Sequence, residues 1–130
     1  MKKSSVLLAQ YNPISQEVGR TMIEALGCRV DVASNGCEVL SSMESSGYDV
    51  VLMDCRMPVM DGMEAARLIR RREQWRGGLR TPIIAVAANF TDEDRSRCLD
   101  AGMDDCLEKP FFLSELSEMM TRWCKRFIWP

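Results

Sequence analysis

Short apolar runs alternate with segments of helical period along the whole chain. Val6-Leu7-Leu8-Ala9 is an apolar run closed by Asn12-Pro13, and residues 14 to 26 then carry Ile14, Val18, Met22, Ile23 and Leu26 at helical spacing. The unit recurs: Cys28 to Ala33 predicts a strand, and Asn35-Gly36 opens a helix that runs to about Ser46 and ends at Gly47. Tyr48 to Met53 is nearly continuous apolar sequence, the pattern of a parallel strand buried on both faces. Pro58 and Asp61-Gly62 then break the chain, and Met63 to Trp75 predicts a helix with Met63, Ala66, Leu68 and Ile69 facing inward. After a turn at Gly77-Gly78, Pro82 to Ala88 predicts a fourth strand and Thr91 caps a helix over roughly 92–101. Met103 to Glu108 predicts a short fifth strand, ended by Lys109-Pro110. The last helix, capped by Ser114 or starting slightly before it, runs to about Lys125 with Leu113, Leu116, Met119, Met120 and Trp123 on one side.

Five strands alternating with five helices through short loops predict an α/β fold: a doubly wound parallel sheet with right-handed crossovers and helices on both faces. No boundary, repeat or low-complexity tract divides the chain, so residues 1–130 read as one domain. In such sheets the site lies beyond the carboxyl ends of the strands, where the strand order reverses. The candidates there are Gln10 and Tyr11 after the first strand, Asp54 at the end of the third, Ala87 and Ala88 after the fourth, and Lys109 after the fifth. A carboxylate and an ammonium at a sheet mouth serve either as reactive groups or as a structural ion pair, and spacing alone leaves both open.

Composition narrows the chemistry. A length of 130 residues with 46% hydrophobic content supports one real core. The formal charge of −2 gives no excess for bulk electrostatic binding of nucleic acid. Arg67, Arg70, Arg71, Arg72 and Arg76 beside Trp75 form a basic run, but at the end of a solvated helix such a run suits the helix dipole. There is no histidine, which excludes histidine metal ligands, Ser-His or Cys-His nucleophile pairs, and a phosphohistidine within this chain. Cys28, Cys37, Cys55, Cys98, Cys106 and Cys124 are scattered without a CxxC spacing and read as reduced thiols. No apolar run approaches the ~18 residues a membrane span requires, so no membrane contact by this domain and a cytoplasmic location are expected, including as the cytoplasmic part of a membrane-anchored kinase. Phe111, Phe112, Trp123, Phe127, Ile128 and Trp129 crowd the C-terminal end, either as a partner or dimer surface or as a tail folded over the core; no oligomeric state is specified.

Tyr48-Asp-Val-Val-Leu-Met-Asp54-Cys-Arg-Met-Pro-Val-Met-Asp-Gly62, followed by Asp94-Arg-Ser-Arg-Cys-Leu-Asp-Ala-Gly-Met-Asp-Asp-Cys-Leu-Glu-Lys-Pro-Phe111, resembles the receiver domains of two-component response regulators, above all those attached to hybrid sensor histidine kinases. The resemblance runs from Val6 to Trp123. It implies a flavodoxin-like sheet of order 2-1-3-4-5, Asp54 as phosphoacceptor, Lys109 as the lysine that contacts the phosphoryl group, and Mg²⁺ held by an acidic pair, the acceptor aspartate and a backbone carbonyl.

The chain departs from that pattern where the chemistry is most demanding. Gln10 and Tyr11 stand at the acidic-pair positions. Ala87 replaces the Ser or Thr whose hydroxyl bonds a phosphoryl oxygen, and Cys106 replaces the Tyr or Phe that turns inward on activation. Asp54 and Lys109 cancel in charge without a metal. Gln10 and the Arg56 carbonyl offer only neutral oxygens, while Asp61 belongs to a turn and Asp104 and Asp105 start the fifth strand away from its mouth. No metal and no other cofactor are therefore expected.

Two functions remain open from this sequence. In one, a degenerate pseudo-receiver binds protein partners, a histidine kinase or phosphotransfer domain, through a surface fixed by the Lys109–Asp54 pair. In the other, a competent receiver uses Mg²⁺ and takes a phosphoryl group on Asp54 from a partner phosphohistidine. Neither is a free-standing enzyme; each fits a module of a hybrid kinase. A flavin-binding reading fails because Gln10-Tyr11-Asn12-Pro13 stands where a Ser/Thr/Gly-rich phosphate loop is needed.

Overall fold

A computed structural model describes residues 3–125 and Phe127. It contains β1 (Ser5–Ala9), α1 (Pro13–Ala25), β2 (Arg29–Ala33), α2 (Gly36–Ser45), β3 (Val50–Asp54), α3 (Gly62–Arg76), β4 (Ile83–Ala87), α4 (Asp92–Asp100), β5 (Asp105–Glu108) and α5 (Leu113–Trp123). All five strands are parallel, in the order β2-β1-β3-β4-β5. This is the doubly wound order 2-1-3-4-5 with five helices that the sequence resemblance implies.

The helices begin where side chains can satisfy their free backbone donors. Asn12 Oδ1 accepts from the N–H groups of Ile14 and Ser15, Asn35 Oδ1 from Glu38, and Asp61 Oδ1 from Glu64. Thr91 and Asp94 form a reciprocal capping box at α4. Gly77, at φ 66°, closes α3 in the left-handed conformation. At α5 the second of the two expected starts is seen, just before Ser114: Ser114 lies inside the helix, the N-cap is Phe112, and Glu115 Oε1 accepts the Phe112 N–H at 2.9 Å. A carboxylate reaching back satisfies the Phe112 N–H, while the Phe112 side chain offers the first turn no acceptor.

Side-chain alternation along the strands splits the core in two. Leu7, Val51, Met53, Ile83 and Ala85 face α2, α3 and α4 through Val39, Ala66, Ile69 and Cys98. Val6, Leu8, Val50, Leu52, Ile84 and Val86 face α1 and α5 through Ile23, Leu116 and Met120. Each fully buried Leu or Ile contributes about 1.5–3 kcal/mol. Of the C-terminal aromatics, Phe127 packs into the α1/α5 layer, Phe112 is exposed, and Ile128 and Trp129 lie outside the described residues. Pairing of Met53 with Ala85, Asp54 with Val86, and Ala87 with Glu108 brings the carboxyl ends of β3, β4 and β5 to one edge of the sheet.

Candidate functional site

The loops leaving β1, β3, β4 and β5 meet at this edge. Gln10 follows β1 directly, is held by its N–H on the Ala33 carbonyl at 2.9 Å, and is buried. Asp54 ends β3 with its carboxylate aimed out of the mouth. Its Oδ1 accepts the Arg56 N–H at 3.0 Å, a local turn that fixes the rotamer. Lys109 is tied to the end of β4 by its N–H on the Ala87 carbonyl at 2.8 Å. Its Nζ donates to Asp54 Oδ2 at 3.1 Å and to Gln10 Oε1 at 3.1 Å. The ammonium thus bridges two strand ends, and the ion pair is sheltered, with the Asp54 side chain 13% exposed.

The other predicted positions are placed differently. Tyr11 is 60% exposed and makes no hydrogen bond to the pair, so of the two acidic-pair positions only Gln10 enters the cluster. Ala87 ends β4 beside the cluster and brings a methyl group there. Cys106 sits half-buried on β5 against the α2/α3/α4 layer. Burial pushes its thiol up to about 11, aided by the neighbouring Cys98 thiol and the Asp105 carboxylate and opposed by Arg95. Cys55 and Cys98 approach to 3.6 Å in the core, and burial with the Cys98 neighbour holds the Cys55 thiol far above its usual range. The expected remoteness of Asp104 and Asp105 from the mouth is seen: Asp104 pairs with Arg70 and Arg80, and Asp105 bonds Arg122 and Trp123.

Two contributors were not legible from motif spacing. Gln16 on α1 donates its Nε2 to the Gln10 carbonyl at 2.6 Å and to Ser34 Oγ at 3.2 Å, holding the β1 loop from below. Gly62, whose Cβ would collide with the Asp54 carbonyl and lie 2.9 Å from Met53 Cγ, lets α3 start against the end of β3. The Asp61-Gly62 pair signals a helix start, but not which backbone it packs on.

The side-chain oxygens that meet at the mouth are those of the Asp54 carboxylate and the Gln10 amide. Among the described residues no group of three or more His, Cys, Asp or Glu side chains is arranged to hold a metal ion. No helix among them is long and apolar enough to cross a membrane.

Comparison with known proteins gives the same architecture a family. The response regulator receiver domain model matches residues 6–121. Histidine kinase 5 of Arabidopsis thaliana is 35% identical over 144 residues, covering 93% of this chain but 16% of that protein. The receiver domain of the sensor histidine kinase PA1611 of Pseudomonas aeruginosa PAO1, solved with a magnesium ion coordinated in its active site cleft, is 44% identical at a TM-score of 0.85, covering 95% of this chain and 98% of that one. The receiver domain of Ssk1 of Saccharomyces cerevisiae, solved with the histidine phosphotransfer protein Ypd1, is 29% identical at a TM-score of 0.89, covering 94% and 89%. The chain therefore spans a small fraction of the kinase relative's length and nearly all of each isolated receiver.

Proposed function

The chain belongs to the response regulator receiver domain family, the acceptor module of two-component phosphorelays, and within that family we propose that it is a degenerate receiver, over residues 1–130, that acts by docking protein partners rather than by Mg²⁺-dependent phosphorylation. One observation carries this reading. The Lys109 ammonium lies between Asp54 Oδ2 and Gln10 Oε1, engaging one oxygen of the carboxylate and the amide oxygen at this mouth, while Asp54 Oδ1 accepts the Arg56 N–H.

The residues present fit Mg²⁺ poorly. The ion requires near-octahedral oxygen ligands and is usually held by carboxylates. Here one side-chain carboxylate and one neutral amide remain, and the sole carboxylate is already neutralised by a charge-assisted hydrogen bond. Ala87 offers no hydroxyl to a phosphoryl oxygen, and the small Cys106 side chain has no aromatic ring to swing between exposed and buried positions. The Asp54 position of the family's acceptor and the Lys109 position of its phosphoryl contact thus serve a fixed strand-end clamp.

A docking face lies beside that clamp. Ile14 and Val18 on α1 are 76% and 56% exposed, and with Met22, Pro110 and Phe111 they border a recess of about 210 Å³. A histidine kinase or a phosphotransfer domain is the partner class proposed, in line with the Ssk1–Ypd1 pair.

The test is amide NMR of the chain titrated with millimolar Mg²⁺, then with Mg²⁺ and beryllofluoride. The expected result is no shift centred on Asp54, Arg56 and Lys109, together with phosphotransfer-partner binding that survives Asp54→Ala. Shifts at those residues that spread to α5, with binding lost in Asp54→Ala, would establish the competent phosphoreceiver instead.

A further inference from the structure

We propose that the groove between α2 and α3 is a second docking surface, built for an acidic amphipathic segment of a partner protein. Two adjoining recesses of about 480 Å³ and about 240 Å³ meet at Leu40 and Arg72. Their floor is apolar: Leu40 and Ile69 are buried, and Met43 and Leu68 half-buried. Their walls carry two large apolar side chains in water, Trp75 at 87% and Leu79 at 96% exposure. None of these residues belongs to the mouth formed by Gln10, Asp54 and Lys109, so the inference does not depend on whether that mouth is phosphorylated.

The charge around the groove selects the occupant. Arg71, Arg72 and Arg76 line it, and Glu73 is the one acid among the lining residues. Both Glu73 oxygens are already engaged, Oε1 by Arg70 at 2.7 Å and Oε2 by the Thr81 N–H at 2.7 Å. Glu44 at the rim pairs with Arg72 at 3.2 Å and Arg76 at 3.6 Å, which leaves a positive excess, and Arg71 has no carboxylate within ion-pair distance among the described residues. This basic rim sits on a chain of formal charge −2, so it is a local feature rather than a general one. Tryptophan and arginine are also the side chains that most often dominate binding energy at protein interfaces. A helix with apolar anchors at i, i+3, i+4 and i+7 would fill the floor, while flanking carboxylates meet the arginines. Nucleic acid needs phosphate contacts along a longer track and gains little from an aliphatic floor, although Trp75 is able to stack on a base.

The probe is a synthetic helix-forming peptide with leucines at that spacing flanked by glutamates, compared with a scrambled peptide of the same composition and with single-stranded oligothymidylate. The expected result is saturable binding of the amphipathic peptide alone, with amide shifts at Leu40, Met43, Leu68, Trp75 and Leu79 and a change in Trp75 fluorescence. Arg71→Glu combined with Arg76→Glu should weaken binding at least about tenfold. Trp75→Ala, a change confined to the exposed surface, should do the same with an unaltered circular dichroism spectrum, and Asp54→Ala should leave binding intact. Equal binding of the scrambled peptide, shifts elsewhere on the surface, no saturable binding, or tighter binding of the oligonucleotide would each overturn the proposal.

Discussion

The Nζ of Lys109 stands 3.1 Å from Asp54 Oδ2, and the same ammonium reaches Gln10 Oε1 at the same distance, so one cation links the loop after β5 to the ends of β1 and β3. Removing one partner of a sheltered pair exposes the other to an unmet desolvation cost. Lys109→Met should therefore destabilise the fold by about 1–3 kcal/mol, Asp54→Asn by less, and the double variant by less than their sum. Urea unfolding of the cycle checks this, and a coupling energy near zero would mean that the pair is cosmetic.

Restoring acids tests the charge argument from the other side. Gln10 is buried, so Gln10→Asp with Tyr11→Asp sets a second carboxylate beside Asp54 with only Lys109 to balance them. Like charges in a sheltered site repel. The variant should lose thermal stability in chelator and regain it with millimolar Mg²⁺, by roughly 2.7 kcal/mol when metal is a hundredfold above its dissociation constant. The unaltered chain should show no Mg²⁺-dependent change in melting temperature. A variant that stays indifferent to Mg²⁺ would locate the defect in loop geometry rather than in missing ligands.

Gly62 is the tightest approach near the site. A Cβ there would meet the Asp54 carbonyl, and both the strand end and the helix start are backbone, with little freedom to yield. Gly62→Ala should cost about 1–3 kcal/mol, an overpacking effect that outweighs the gain in helix propensity. It should also shift the Asp54 and Arg56 amide resonances. Unchanged stability together with unmoved resonances would show that α3 can slide away without disturbing Asp54.

The alternation of strands and helices and the identity of the mouth residues were legible because β1, β3 and β4 are short apolar runs with polar residues at or just beyond their ends, whereas the order 2-1-3-4-5 was implied by the family resemblance and not by the runs themselves. Asp54 and Lys109 are brought together as the sequence placed them. Gln10 and Tyr11, adjacent in sequence, part company: successive residues leaving a strand point opposite ways, so Gln10 turns inward and Tyr11 into solvent. Periodicity says which positions are apolar, not which of two neighbours after a strand faces the mouth. The start of α5 stayed open between Ser114 and a residue just before it, because Ser114 has the better capping side chain, and the local bond from the Phe112 N–H to Glu115 goes with the earlier start.

The network around Arg70 shows where the second long motif does structural work. Arg70 donates Nε to the Gly102 carbonyl at 2.8 Å, Nη1 to the Thr81 carbonyl at 2.8 Å and Nη2 to Asp104 at 2.8 Å, while Asp104 also accepts the Ile83 N–H. One guanidinium thus joins α3 to the turn before β5 and the entry to β4. Arg70→Met should cost about 1–3 kcal/mol, because Glu73 Oε1 and the Thr81 carbonyl lose their donor while Asp104 and the Gly102 carbonyl keep Arg80. Arg70→Lys should recover little, since an ammonium cannot reproduce the fork. Thermal unfolding of both variants checks this, and full rescue by lysine would reduce the contact to bare charge.

Asp105 gives the fold a pH-sensitive clamp on α5. Burial, the largest single influence, would raise its pKa, but hydrogen bonds from Trp123 Nε1, the Cys106 N–H and Arg122 together hold the carboxyl below its usual value. A carboxyl whose folded pKa is depressed binds its proton more weakly than in the unfolded chain. Its stabilising contribution is therefore complete above the unfolded value of about 3.9 and is lost as pH falls through the folded value. The Trp123 environment should stay constant from neutral pH down to roughly pH 4 and change below it as the clamp releases. Asp105→Asn should lower stability at neutral pH by about 1–2 kcal/mol and flatten the acid limb, since no carboxylate is left there to protonate. What acid dependence remains should include Asp94, whose bonds with Thr91 at the start of α4 also hold it low. Tryptophan fluorescence and amide exchange of α5 across an acid titration measure both effects. An acid limb identical in the parent chain and the variant would assign the titration to groups other than Asp105.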